Sequence, residues 1–168
     1  MTTLYLVRHG ETIDNAAQIL QGQLQGELNE KGIQQAEATR DKLKNEQIDV
    51  FVSSDLKRSI DTCRIIAAPH HKDVEITPLL RERDWGDFTG KFIPDLKDVE
   101  WPENVESLEK LKSRAQNFLT YLKTSFPNKT VLAVGHGIIN KAIQSVYYKK
   151  PMSEIHKMDN GEVRIYML

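Results

Sequence analysis

The sequence has little cysteine, little charge imbalance and no long apolar run. Cys63 is the only cysteine among 168 residues, which excludes an intrachain disulfide. Lys and Arg number 23 against 24 Asp and Glu, so the chain lacks the basic footprint that nucleic-acid binding requires. No apolar run approaches the roughly 20 residues of a membrane-spanning helix. Nucleic-acid and membrane partners are therefore not expected.

Internal repeats, low-complexity tracts and a signal-peptide pattern are also absent, since Met1 and two threonines lead straight into an apolar run. Hydrophobic residues make up 39% of the chain and charged residues 28%, as in an ordinary globular protein. We expect a single cytoplasmic domain over residues 1–168, and the composition leaves the oligomeric state open.

The N-terminal stretch LYLVRHGET places a cation and an imidazole at the end of a strand. Leu4 to Val7 form an apolar, β-prone run that predicts a strand buried on both faces, and Arg8 and His9 follow at once. Ligands bind at the carboxyl ends of strands in open α/β sheets. The Arg8 fork suits phosphate or carboxylate, and a neutral His9 offers a nucleophilic nitrogen. An ordinary polar turn is the alternative interpretation.

Two later strands repeat this pattern. Residues 50–52 predict a strand followed by a helix that begins with Ser54 as its cap and carries Arg58 in its first turns. Residues 131–134 predict another, followed by Gly-His-Gly. If the three strands are parallel neighbours, their basic residues meet at one edge of the sheet and form a cationic pocket. The residues concerned are Arg8, His9, Arg58 and His136, with Gly135 and Gly137 letting the backbone approach an anion.

The two histidines also permit a metal site. They come with arginines rather than carboxylates, however, and arginines would repel a divalent cation. We therefore expect neither a metal nor another cofactor.

The remaining pattern indicates helices and one irregular segment. Asn29 and Ser107 are candidate caps of helices that run to about residues 44 and 126, and the alternation over 163–167 predicts a final strand. The segment 78–106 contains three prolines and two tryptophans and is a candidate lid over the sheet edge.

Four motifs in order resemble those of the histidine phosphatase superfamily, the phosphoglycerate mutase-like proteins. They are RHGET after the first strand, SSDLKRSIDT at the opening of a helix, LRERDWGDFTG in the irregular segment and GHG after a late strand. The resemblance covers nearly the whole chain. It implies a three-layer α/β fold with a mostly parallel sheet between helices, and phosphoryl transfer through a phosphohistidine without a cofactor.

The resemblance also implies roles for individual residues. His9 matches the nucleophile, Glu82 matches the proton donor, and three residues match groups that hold the phosphoryl, namely Arg8, Arg58 and His136. Four further positions match phosphate or substrate contacts: Asn15, Gln21, Gly22 and the backbone amide of Gly137. For Glu82, which stands between two arginines, a surface charge is the alternative interpretation.

Two departures from the family pattern bear on function. Gln25 stands where the family usually has an Asp, which affects the shape of the loop. No Arg occurs between Arg83 and Arg114, and residues 84–106 hold seven acidic residues against two lysines, which disfavours a second phosphate. We therefore favour a metal-independent phosphatase of a small phosphorylated metabolite over a mutase-type phosphoryl transfer. A catalytically silent phosphate-binding domain is the rival from another class.

Overall fold

The computed structural model describes all residues from 1 to 168 and is built on one five-stranded sheet. The strands lie in the order β3-β2-β4-β1-β5. Four of them are parallel, and only β5 runs antiparallel, beside β1. The strands are β1 Thr3–Arg8, β2 Val50–Ser53, β3 Val74–Ile76, β4 Thr130–Gly135 and β5 Val163–Met167.

Five α-helices connect the strands. They are α1 Ile13–Ala16, α2 Glu30–Leu43, α3 Lys57–Ala67, α4 Leu108–Ser125 and α5 Gly137–Tyr148. The segment 78–106 contains only short 3₁₀ turns, in agreement with the predicted irregular segment. None of the helices combines the length and apolar character needed to cross a membrane.

Helices cover both faces of the sheet, which confirms the predicted three-layer α/β class. The strand β4 shows why, because its side chains alternate between two separate cores. Val131 and Ala133 pack into the core on the side of α4 and α5, whereas Leu132 and Val134 pack against α2 and α3. All four are fully buried, as expected of a central strand in a mostly parallel sheet.

Two of the three predicted helix caps are confirmed. The Asn29 side chain accepts a hydrogen bond from the Gly32 amide at 2.8 Å, and the Ser107 hydroxyl accepts one from the Lys110 amide at 3.1 Å.

The Ser54 cap is wrong, because α3 begins only at Lys57. The Lys57 amide donates instead to Gln25 Oε1 at 2.9 Å, and the Ser54 hydroxyl lies 2.7 Å from a nitrogen of His136. Gln25, the residue that departs from the family pattern, therefore joins its own loop to the start of α3.

The final strand is confirmed, but its most buried side chain lies on the other face. Ile165 and Met167 are exposed, whereas Tyr166 is buried against α5 and its hydroxyl donates to Gln144 Oε1 at 2.8 Å. The core face of this edge strand is therefore occupied by Tyr166, whose buried hydroxyl has a hydrogen-bond partner.

Candidate active site

Strands β1 and β4 bring two histidines together at the carboxyl edge of the sheet. Arg8 pairs with Gly135 in the parallel register, so the next residues, His9 and His136, are neighbours. Their ring centroids lie 5.0 Å apart, and the His9 amide donates to the Gly135 carbonyl at 3.2 Å. The predicted convergence of strand ends is therefore observed.

The His9 ring is held with one nitrogen free. Its Nδ1 lies 2.6 Å from the carbonyl oxygen of Gly10, which can only accept, so Nδ1 carries the proton and Nε2 has the lone pair. Burial, reinforced by the charges of Arg58 and Arg8, holds the pKa of His9 well below its ordinary value. The ring is consequently neutral at neutral pH, the form in which it is a nucleophile.

His136 lies behind His9 and is completely buried. Its Nε2 is 2.7 Å from the Ser54 hydroxyl, whereas its Nδ1 is buried without a hydrogen-bond partner. Burial and then the charge of Arg58 hold the pKa of His136 well below its ordinary value. In the folded protein the fixed positive charge of the site therefore comes from the arginines.

Arg8 and Arg58 each use part of the guanidinium on the protein and leave another part free. Arg8 Nη1 donates to the Met158 carbonyl at 2.7 Å, and Arg58 Nη2 donates to the Gly22 carbonyl at 2.7 Å. Arg58 Nη1 donates to the Leu24 carbonyl. Burial lowers the pKa of Arg58 to about 10, which leaves it charged at neutral pH.

Three buried nitrogens at this edge have no partner in the protein: Arg8 Nε, Arg58 Nε and His136 Nδ1. An unsatisfied buried polar group costs about 1–3 kcal/mol, so each needs an explanation. Two cations with unused donors, together with an imidazole nitrogen, suit a ligand with several acceptor oxygens.

The Glu82 carboxylate is held at the first turn of α5. It accepts hydrogen bonds from the amides of Ile138 at 3.0 Å and Ile139 at 2.9 Å, and from the Arg83 amide at 2.9 Å. Gly137, which precedes these donors, would place a Cβ 3.4 Å from the Arg8 guanidinium if it had one. Both residues face the cavity described below, so Glu82 is not a free surface charge.

The loop that follows His9 orients Asn15 and Gln21. The Asn15 Oδ1 accepts from the Thr12 amide at 3.1 Å, and the Asn15 amide donates to Thr12 Oγ1 at 2.9 Å. The Gln21 Oε1 accepts from the Thr12 hydroxyl at 3.0 Å. These contacts fix both side chains, and the side-chain nitrogen Nδ2 of Asn15 has no close acceptor in the protein.

A cavity of about 160 Å³ collects most of the predicted site residues. Eight of the nine line it, and the ninth, His136, is buried beside His9. The eight are Arg8, His9, Asn15, Gln21, Gly22, Arg58, Glu82 and Gly137. Apolar side chains close the rest: Ile19, Leu20, Trp85, Ile93 and Ile138.

Sequence reasoning missed two residues of the site. Lys157 lines the cavity, and Asn160 donates through its side-chain nitrogen to the His9 carbonyl at 2.9 Å. Asn160 carried a turn signal, since it precedes a glycine, but no local pattern indicated that this turn returns to His9. Gly135 does not line the cavity, and a Cβ there would collide with Asn140 Oδ1, so packing against Asn140 already accounts for a glycine at this position.

The acidic residues between 84 and 106 do not enter the cavity. From that range only Trp85 and Ile93 line it. Glu106 pairs with Arg114 at 2.8 Å, and Asp87 accepts from Asn104 at 3.0 Å. The charge count over this segment therefore says little about which anions the cavity accepts.

No group of three or more His, Cys, Asp or Glu side chains in the structure could hold a metal ion. The chemically active groups that the fold does assemble are a neutral imidazole, two arginines and a carboxylate.

Comparison with known proteins gives consistent matches. The family model described as histidine phosphatase superfamily (branch 1) matches residues 4–168. Phosphoglycerate mutase-like protein 4 of Arabidopsis thaliana is 35% identical over 184 residues, covering 98% of this chain and 79% of the relative. The metal-independent phosphoserine phosphatase of the same plant is 36% identical over 160 residues, covering 85% of this chain and 67% of the relative.

Among solved structures, a mycobacterial glucosyl-3-phosphoglycerate phosphatase in complex with VO3 superposes with a TM-score of 0.89. It is 28% identical, and the match covers 97% of this chain and 91% of that one. The fold of this chain thus has a counterpart among solved structures.

Proposed function

Because the chain belongs to the histidine phosphatase superfamily, we propose that it hydrolyses the phosphate monoester of a small phosphorylated metabolite with His9 as nucleophile. The observation that carries the proposal is a neutral His9 with a free Nε2, at the same edge of the sheet as three buried nitrogens without a partner in the protein. Phosphoryl transfer needs positioning and positive charge around the transferred oxygens, and the two arginines supply the charge without a metal.

In the first step, His9 Nε2 attacks phosphorus and the bond to the ester oxygen breaks. The protonated Glu82 carboxyl gives its proton to that oxygen, so that the leaving group departs as an alcohol. The phosphoryl group then sits on His9, with its oxygens facing Arg8, Arg58 and the Gly137 amide.

In the second step, water attacks the phosphohistidine. The Glu82 carboxylate takes the proton of the water, the phosphorus–nitrogen bond breaks, and inorganic phosphate leaves. His9 returns to the neutral ring and Glu82 to the protonated acid, so the cycle closes with one ester bond hydrolysed.

Hydrolysis is favoured over transfer to a second phosphorylated acceptor by the lining of the cavity. Apart from Arg8 and Arg58, whose free donors serve one phosphoryl group, its only cation is Lys157. The two matched phosphatases are named for phosphoserine and for glucosyl-3-phosphoglycerate, which are small phosphorylated compounds. Residues 1–168 would act as one domain in which Trp85 and Ile93 of the 78–106 segment cover the cavity.

The proposal is tested with an aryl phosphate and purified protein, with and without a chelator. We expect turnover that persists in EDTA and that His9→Asn abolishes. The control variant His156→Asn alters an exposed histidine and should keep the activity. Activity that EDTA removes and Mg²⁺ restores would contradict the metal-independent mechanism. The absence of turnover on every phosphomonoester would favour the catalytically silent phosphate-binding domain.

A further inference from the structure

We infer that Lys157 and the cavity beside it form a subsite for a carboxylate group of the substrate. This inference deepens the proposed phosphatase function and rests on it. The cavity that holds the phosphoryl site adjoins a second one of about 610 Å³, and Lys157 lines both. Arg8 and Asn15 are also shared, so a ligand phosphorylated at one end has room to extend past Lys157.

The loop that carries Lys157 is fixed to the catalytic strand. The Met158 carbonyl accepts from Arg8 Nη1 at 2.7 Å, Asn160 donates to the His9 carbonyl at 2.9 Å, and the Gly161 amide donates to the Arg8 carbonyl at 2.8 Å. The backbone at Lys157 is therefore held in place relative to the phosphoryl site, as is needed for a residue that contacts the rest of the substrate.

The Lys157 ammonium has no ion-pair or hydrogen-bond partner in the protein, although it is close to Arg8. The positive charge of Arg8, with partial burial, lowers the pKa of Lys157. Glu82 and Asp159 act on this pKa in the opposite direction, but neither forms an ion pair with Lys157, and Arg8 and Lys157 face one cavity as two cations that repel each other. An anionic substrate group between or beside them would remove that repulsion.

The charges around the second cavity favour a carboxylate over a second phosphate. Lys157 is a single ammonium, and the guanidinium of Arg8, which also lines this cavity, serves the phosphoryl group. Two acids, Glu11 and Asp159, also line the cavity and oppose a dianion. Glu11 is partly offset by Lys31, 3.7 Å away. One ammonium and the neutral amides of Gln18, Gln35 and Asn160 match a group of charge −1.

The test compares matched substrates that differ only at the carboxylate. One pair is phosphoserine and phosphoethanolamine; the other is 3-phosphoglycerate and glycerol 3-phosphate. Steady-state kcat/KM is measured for the natural protein, Lys157→Met, Lys157→Arg and the control Lys123→Met. Lys123 is an exposed lysine in the last turn of α4, and this helix ends near the amino end of β1, where the Thr2 hydroxyl donates to the Phe126 carbonyl.

The natural protein should prefer the carboxylate member of at least one pair by about tenfold or more, the size of one charge-assisted contact. Lys157→Met should reduce the ratio of the two kcat/KM values to between about 1 and 2. Lys157→Arg should keep most of it, and Lys123→Met should leave it unchanged. Using the ratio cancels any effect of the substitution common to both substrates.

The carboxylate subsite is wrong if the natural protein treats both members of each pair alike, or if Lys157→Met keeps the full preference. It is also wrong if none of the four compounds is hydrolysed while an aryl phosphate is turned over with His9, a result that leaves the phosphatase function intact. The loss of the phosphatase function itself would appear separately, in the aryl phosphate assay.

Discussion

Several polar residues of the site divide their hydrogen-bonding groups between the protein and the ligand. His9 uses Nδ1 on the Gly10 carbonyl and keeps Nε2, whereas Arg8 and Arg58 use their terminal nitrogens and keep Nε. Asn15 uses its oxygen and keeps its side-chain nitrogen. The orientation of these groups is therefore set before a phosphoryl group arrives, which lowers the cost of organising the transition state.

Glu82→Gln should separate proton donation from phosphate binding. An alkyl leaving group needs a proton in the first step, whereas nitrophenolate leaves without one. We expect phosphorylation of His9 by an alkyl phosphate to slow by about 10²-fold, with a much smaller effect for nitrophenyl phosphate. Quenched-flow single-turnover experiments with one substrate of each kind measure both rates.

Asp84→Asn is the matched control, since Asp84 is an exposed carboxylate of the same segment that does not line the cavity. It should leave the ratio of the two rates unchanged. Equal slowing of both substrates by Glu82→Gln would remove Glu82 from the acid's role.

The chemistry of single residues was predictable from the sequence, but their partners were not. The local motifs contain Arg8, His9, Arg58 and Glu82. The functional group of each side chain is known from the sequence whatever the fold. Lys157 joins the site through a loop more than 140 positions along the chain from His9, and nothing in its neighbours marks that contact.

At the scale of elements, hydrophobic runs predicted β1, β2 and β4 well because burial on both faces leaves a continuous apolar pattern. The start of α3 was predicted too early. Ser54 is a good cap by residue type, yet it is completely buried beside His136, and the first amide of α3 donates instead to Gln25 of a distant loop. A tertiary contact thus replaced a local preference.

Arg114 of α4 binds the segment that carries Glu82. Its guanidinium donates to the carbonyls of Leu79 and Arg81 and pairs with Glu106 at 2.8 Å. Both members of this pair are mostly buried, with side-chain exposures of 18% and 12%.

Arg114→Met should therefore lower the free energy of unfolding by about 3 kcal/mol, because it leaves the Leu79 and Arg81 carbonyls without this donor and the partly buried Glu106 carboxylate without its cation. Chemical denaturation measures the change. Arg81→Met is the control: its pair with Asp55 is more exposed, and its loss should cost about 1 kcal/mol or less. If Arg114→Met lowers the free energy of unfolding no more than Arg81→Met does, then Arg114 does not stabilise the contact between this segment and α4.

For the whole molecule, two neutral histidines buried at the sheet edge link stability to pH. The pKa values of His9 and His136 are well below 6.5 in the folded protein and ordinary in the unfolded chain. Below pH 6.5 these two histidines bind protons in the unfolded chain but not in the folded protein. The stability present above this pH is therefore lost as the pH falls.

We expect the free energy of unfolding to fall between pH 6.5 and 5 by about 1 kcal/mol per pH unit for each histidine. Urea denaturation in phosphate-free buffer measures it. His9→Gln should make the pH dependence shallower, whereas His156→Gln, at an exposed position, should not. An unchanged slope in His9→Gln would show that His9 does not resist protonation in the folded state.

The central claim is that the phosphoryl group passes through His9. Its most direct test is a rapid-quench reaction with nitrophenyl phosphate, followed under alkaline conditions by mass spectrometry of the protein and its fragments. We predict one added phosphoryl group on His9, formed at least as fast as turnover and absent in His9→Asn. A phosphoryl group on another residue, or full hydrolysis by His9→Asn, would contradict the account.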